Sequence, residues 1–155
     1  MQIRPATSAD VEAVLPMVAA ICNMHERLDP PRYAMLPDVV DRYRWWLPKR
    51  AEDPRSVFLV ADTSPGLAGF LIATVEQNIP IYQLKKFGFI HDVWVDPQHR
   101  RSGIARALVE EAANRFRAMG ITQLRLETAA ANEHARDLFT ACGFRVGTID
   151  MLRQL

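Results

Sequence analysis

The residues best suited to bind an anion lie in the stretch Val95-Asp96-Pro97-Gln98-His99-Arg100-Arg101-Ser102-Gly103-Ile104-Ala105. A strand-like run ends at Val95, a basic loop follows, and a helical pattern opens after Gly103. The first turn of a helix offers unpaired N–H groups and the positive end of its dipole, a natural seat for phosphate. Gly103 lets the backbone come close, and Arg100 and Arg101 add positive charge. Two phosphate patterns are excluded. No Gly-rich loop runs into Lys-Ser/Thr, and there is no G-x-G-x-x-G. Charge and spacing alone leave open a loop that is merely solvated.

Composition narrows the remaining classes. A chain of 155 residues suits one domain with a sizeable core. With 49% hydrophobic and 24% charged residues it reads as an ordinary globular protein. A net charge of +1 gives no reason to expect nucleic acid or a membrane surface as a partner. No run approaches the ~20 apolar residues of a membrane span. Met1 to Pro5 lacks the basic and apolar regions of a signal peptide, so a cytoplasmic protein is expected. Cys22 and Cys142 show no metal-ligand spacing and read as reduced, largely buried thiols.

The elements that must position the loop alternate between helical and strand periods, which predicts a mixed α/β (α+β) domain. Ile3 and Arg4 start an edge strand. Thr7, with Asp10 three residues on, signals a helix start. Val11, Val14, Leu15 and Val18 share one helical face, and Pro16 should kink that helix. His25 to Pro37 reads as a loop. A second helix runs from Pro37 to Leu47, stopped by Pro48. Val57 to Ala61 is a buried strand, Ser64-Pro65-Gly66 turns the chain, and Ala68 to Val75 returns as a hairpin partner. Phe87 to Val95 is the next strand. Gly103 to Met119 is the clearest helix, ended at Gly120. Leu124 to Thr128 is a strand, and Asn132 caps a last helix that Gly143 ends. Phe144 to Leu155 is long enough for two short closing strands.

Two motifs in this order resemble the GCN5-related N-acetyltransferase (GNAT) family. Arg100-x-x-Gly103-x-Ala105, after a strand ending in Val-Asp-Pro, is similar to the family signature Gln/Arg-x-x-Gly-x-Gly/Ala. Asn132, Ala135, Leu138, Gly143 and Phe144 are similar to its second element, an Asn-capped helix ending in Gly-Phe. The resemblance covers nearly the full chain. It implies one domain over residues 1–155. Its mixed central sheet would have a splayed pair of parallel strands flanked by about four helices. It implies acetyl-CoA as co-substrate and no metal. Val93, Trp94 and Val95 would pair with pantetheine, as a peptide adds to a sheet edge. The N–H groups of Arg101, Ser102, Gly103, Ile104 and Ala105 would hold the pyrophosphate beside Arg100, and Asn132 would bond the pantetheine arm. Where the family usually places a Tyr to protonate the leaving thiolate, this chain has Phe139, whose ring is still expected to pack against the pantetheine arm or the core.

The implied acceptor is a primary amine of a small molecule or protein, attacked in a ternary complex. An amine of pKa about 10 costs roughly 4 kcal/mol to deprotonate at neutral pH, so a base would help. His91 stands where the family often has Glu, with Asp92 beside it, and Glu76 is a third candidate. Successive strand residues face opposite sides, so His91 and Asp92 share a substrate only if a bulge intervenes. Tyr33, Trp45 and Tyr82, with Trp46 and Trp94, could wall an acceptor pocket and favour a cationic amine. The absent Tyr and Glu also keep open a non-catalytic acyl-CoA sensor. A different acyl donor or an O-acyl acceptor is a weaker alternative. A homodimer stays open as an assembly.

Overall fold

A computed structural model describes all of residues 1–155. Five strands form one sheet in the order β1 (Gln2–Pro5), β2 (Ser56–Asp62), β3 (Leu67–Gln77), β4 (Lys86–Val95) and β5 (Leu124–Leu126). The first three pairings are antiparallel and β4–β5 is parallel. β2 is apolar without alternation because both its faces are covered. Phe58 and Val60 join Phe70 and Ile72 of β3 in a core against α1 (Val11–Leu28) and α3 (Val39–Glu52). Val57 and Leu59 join Leu71 and Ala73 in a second core against α4 (Ile104–Ala118), with α5 (Glu133–Ala141) packed beside it. Each fully buried Leu or Phe stabilises by roughly 2–3 kcal/mol.

Four expectations change. His25 to Pro37 is not one loop: α1 continues to Leu28, and α2 (Pro30–Tyr33) follows. Asp29 caps α2, accepting from the Arg32 N–H at 3.4 Å, and the two prolines sit in its first turn, where a missing N–H is harmless. α3 starts at Val39 and runs through Pro48 to Glu52. Leu47 is fully buried and Ala51 packs on the same core, so tertiary contacts outweigh the one backbone bond Pro48 cannot make. α1 carries Pro16 in its interior, where the sequence places it. β5 stops at Leu126. Finally, Phe144 to Leu155 forms no strand and pairs with none of the five. Its Val146, Ile149 and Met151 are exposed. No helix is long and apolar enough to cross a membrane.

Candidate active site

β4 has two neighbours along only part of its length. It pairs with β5 at Gly88, Phe89 and Ile90, and from His91 onward that side is free. The Asp96 N–H bonds the Ala68 carbonyl of β3 at 2.8 Å. By alternation Trp94 also turns its backbone groups to β3, while Val93 and Val95 turn theirs into the open notch. The Val95 carbonyl is taken by Arg100, whose Nε donates to it at 3.1 Å. The Val93 pair and the Val95 N–H remain for a ligand.

The loop beyond the notch is shaped for a close approach. Arg101 has φ 61° and Gly103 φ 83°, both left-handed. Gly103 holds that conformation at no steric cost, and a Cβ built there would meet no atom within 4 Å. Ser102 Oγ donates to the His99 carbonyl at 2.5 Å and braces the turn. Ile104 and Ala105 open α4 with their side chains on the second core, so their N–H groups stay at its free end. Arg100 lies 4.7 Å over the Trp94 ring, a cation on an aromatic face. With Asn23, Met24 and Arg27 of α1 these two line a cavity of about 420 Å³.

A bulge interrupts the other edge of β4. Ile72 opposes Asp92, yet Ala73 opposes Ile90, so His91 is the extra residue. The slip turns consecutive side chains onto one face. His91 meets Trp46 of α3 edge-on at 5.4 Å between rings, and Asp92 accepts from the Tyr43 hydroxyl at 2.7 Å. The two differ in access. Asp92 is 7% exposed, and burial pushes its pKa up while the Tyr43 hydrogen bond pulls it down. Burial and the same carboxyl push the Tyr43 phenol well above its usual range. The His91 side chain is 30% exposed. Burial lowers its pKa, Arg50 adds to that, and Glu76 opposes it. Thr74 Oγ1 lies 2.6 Å from Glu76 Oε1 and 2.7 Å from His91 Nε2, while His91 and Glu76 are 3.7 Å apart. Thr74 escaped sequence reasoning. The only signal was its place two residues before Glu76, on the same strand face.

The remaining candidates are spread out. Asn132 caps α5, its Oδ1 accepting from the Ala135 N–H at 3.2 Å, and its amide nitrogen is free for a ligand. Phe139 packs on the second core and meets Phe144 edge-on at 5.7 Å. Tyr33 stacks on His25 at 4.9 Å. Trp45 is 66% exposed under the Lys49 ammonium and lines a cavity of about 530 Å³ with Trp46, Asp38, Asp41 and Arg42. Tyr82 is exposed in the β3–β4 loop. No ring contact joins Tyr33, Trp45 and Tyr82.

Residues 18–144, from the middle of α1 through the notch to Phe144, match the acetyltransferase (GNAT) family. The chain belongs to that family. It is similar to human N-acetyltransferase 8, 30% identical over 90 residues, covering 58% of this chain and 39% of that one. The [ribosomal protein bS18]-alanine N-acetyltransferase of Escherichia coli K12 is 35% identical over 60 residues, 39% of this chain and 40% of its own. The chain thus spans about two fifths of the length of these curated relatives. Whole-chain likeness comes from solved structures. A GCN5-related N-acetyltransferase from Ralstonia eutropha JMP134 superposes with TM-score 0.78 at 25% identity, covering 99% of this chain and 97% of that one. The BH1408 protein of Bacillus halodurans, as a tetramutant, reaches TM-score 0.85 at 22% identity over the full length of both chains. The GNAT fold of this chain is therefore a mixed sheet whose parallel pair, β4 and β5, separates beyond Ile90.

Proposed function

We propose that this GNAT protein transfers an acetyl group from acetyl-CoA to a primary amine by direct attack in a ternary complex. The observation that carries the reading is the bulge. It sets a half-exposed His91, backed by Thr74 and Glu76, next to the point where β4 and β5 part. The residues present suit acetyl-CoA, which would supply an acyl thioester with a leaving group of pKa about 8.5. The Val93 backbone and the Val95 N–H would pair with its amide groups along the notch. The N–H groups of Arg101 to Ala105 would hold its phosphates, and Asn132 would offer its free amide.

His91 takes a proton from the attacking amine, directly or through one water, as the new C–N bond forms and the C–S bond breaks. Its lowered pKa keeps it unprotonated and ready near neutral pH. Asp92 is too buried to meet a substrate and instead fastens β4 to α3 through Tyr43. With Phe139 in place of a hydroxyl, the thiolate takes its proton from solvent. Trp46, which reaches His91, offers the aromatic wall nearest the base, whereas Trp45 is covered by Lys49 and Asp38 and Asp41 are paired with Arg42 and Arg44. Tyr33, stacked on His25, and Tyr82, in the β3–β4 loop, do not line the cavity that Trp45 and Trp46 share. Free Cys22 and Cys142 suit a reducing compartment, the cytoplasm.

Calorimetry and a thiol-release assay over a panel of amines test the reading together. Acetyl-CoA should bind, and Gly103→Asp should abolish binding by setting a carboxylate against the pyrophosphate. His91→Ala should lower kcat about a hundredfold, in the usual range for a general base. Full activity in His91→Ala, Asp92→Ala and Glu76→Ala alike would remove every side-chain base. Phe139 favours one second reading, a non-catalytic acyl-CoA sensor. Tight binding with no amine acetylated, and activity gained on Phe139→Tyr, would decide for it.

A further inference from the structure

We propose that Thr74 is a positioning residue that holds His91 as its Nε2–H tautomer, so that Nδ1 is the nitrogen that accepts the proton. This rests on the reading of His91 as the base. Thr74 Oγ1 has one proton and two close partners, Glu76 Oε1 at 2.6 Å and His91 Nε2 at 2.7 Å. A carboxylate can only accept, so the hydroxyl proton points to Glu76. The Thr74 oxygen is then an acceptor toward His91, and Nε2 must carry the hydrogen. The result is a one-way chain in which His91 donates to Thr74 and Thr74 donates to Glu76. The opposite sense would require a proton on Glu76.

The surroundings hold this arrangement in place. Thr74 is 5% exposed, so water competes little for its hydroxyl. Trp46 and Phe89 wall the imidazole at 5.4 and 5.1 Å between rings and resist a ring flip. Nδ1 makes no hydrogen bond within the chain. The charged groups that act on the ring are Glu76 on β3 and Arg50 on α3. Asp92, its neighbour on β4, is engaged by Tyr43. When the amine proton moves to Nδ1, the ring charge is delivered along Nε2–H and Thr74 toward Glu76. The hydroxyl therefore strengthens its bonds as the reaction proceeds.

Nitrogen NMR of the ¹⁵N-histidine-labelled protein reads the tautomer directly, without any assay of activity. Wild type and Thr74→Ser should show a protonated Nε2 and a bare Nδ1 at neutral pH. Thr74→Val, nearly the same shape, should lose the single tautomer. Its kcat should fall about tenfold with KM for acetyl-CoA unchanged. Its acid limb should move to lower pH, because Nε2–H donation to oxygen favours the charged ring. A wild-type His91 carrying its proton on Nδ1 overturns the proposal, whether or not Thr74→Val folds. So does a Thr74→Val protein with unaltered tautomer and pH profile. Full kcat in His91→Ala would instead overturn His91 as base and leave the tautomer measurement standing.

Discussion

The surroundings of His91, the proposed base, push against protonation. Burial is the largest cause, Arg50 adds repulsion, and Glu76 pulls the other way. The lowered pKa places the acid limb of the pH–rate profile below the ordinary histidine value of about 6.5. Activity should therefore persist into mildly acidic buffer until His91 protonates, and rise toward alkaline pH as more acceptor amine becomes neutral. Arg50→Gln removes the cation on α3, so the His91 pKa should rise and the acid limb move to higher pH. A pH series of kcat for both proteins checks this, and an acid limb that moves the other way would show that Arg50 acts on something else. Phe139 poses a different question. Its ring is part-buried against Phe144. Phe139→Ala should cost roughly 2–3 kcal/mol, short of the ~3–5 of a fully buried ring.

At the scale of elements, the Tyr43–Asp92 bond joins α3 to the bulge in β4. Tyr43→Phe leaves a buried carboxyl without its donor and should cost about 1–3 kcal/mol at neutral pH. Asp92 has a raised pKa in the fold, so the folded state holds its proton to higher pH than the unfolded chain, whose reference value is 3.8. Stability from this group falls as pH rises through that window. Without Tyr43 the pKa rises further. The penalty of Tyr43→Phe should therefore shrink in acid, as chemical denaturation at neutral and acidic pH would show. Much of this framework was readable in the sequence. The β2 run, the Gly103 and Gly120 bounds of α4, and the Asn132 cap follow from local patterns, and all are present. The bulge was not, because it is a property of register. Nothing in Ile90-His91-Asp92 says that β3 will skip one residue there. Pro48 misled for a related reason. A local helix breaker was overruled by the burial of Leu47, which only tertiary structure supplies. The tail from Phe144 had the composition of strands, yet it leaves the outer edge of β5 unpaired.

The whole molecule is a sheet between two cores, clasped near its first strand by Arg4. Its guanidinium reaches both Asp10 oxygens at 2.8 and 2.9 Å and Asp62 at 2.8 Å, tying β1 to the start of α1 and to β2. The hydrogen bond from Arg4 holds the Asp10 carboxyl well below the usual carboxylate range, and Thr7 helps. Here the folded pKa is depressed. The stabilisation is present above the unfolded value near 3.8 and is lost as pH falls below it. Asp10→Asn should therefore lower the denaturation midpoint at pH 7 and converge with wild type in strong acid. An equal loss at both pH values would mean the clasp works by shape rather than charge. The free flank of β4 bears on time as well as on geometry. A backbone amide that no neighbouring strand covers trades its hydrogen with solvent quickly. The amides of Val93 and Val95 should take up deuterium fast in the free protein, while Trp94, turned to β3, should lag. Acetyl-CoA in the notch should slow the first two and leave the third unchanged. Deuterium uptake along these three residues would therefore act as a local clock of how long the seat stays filled.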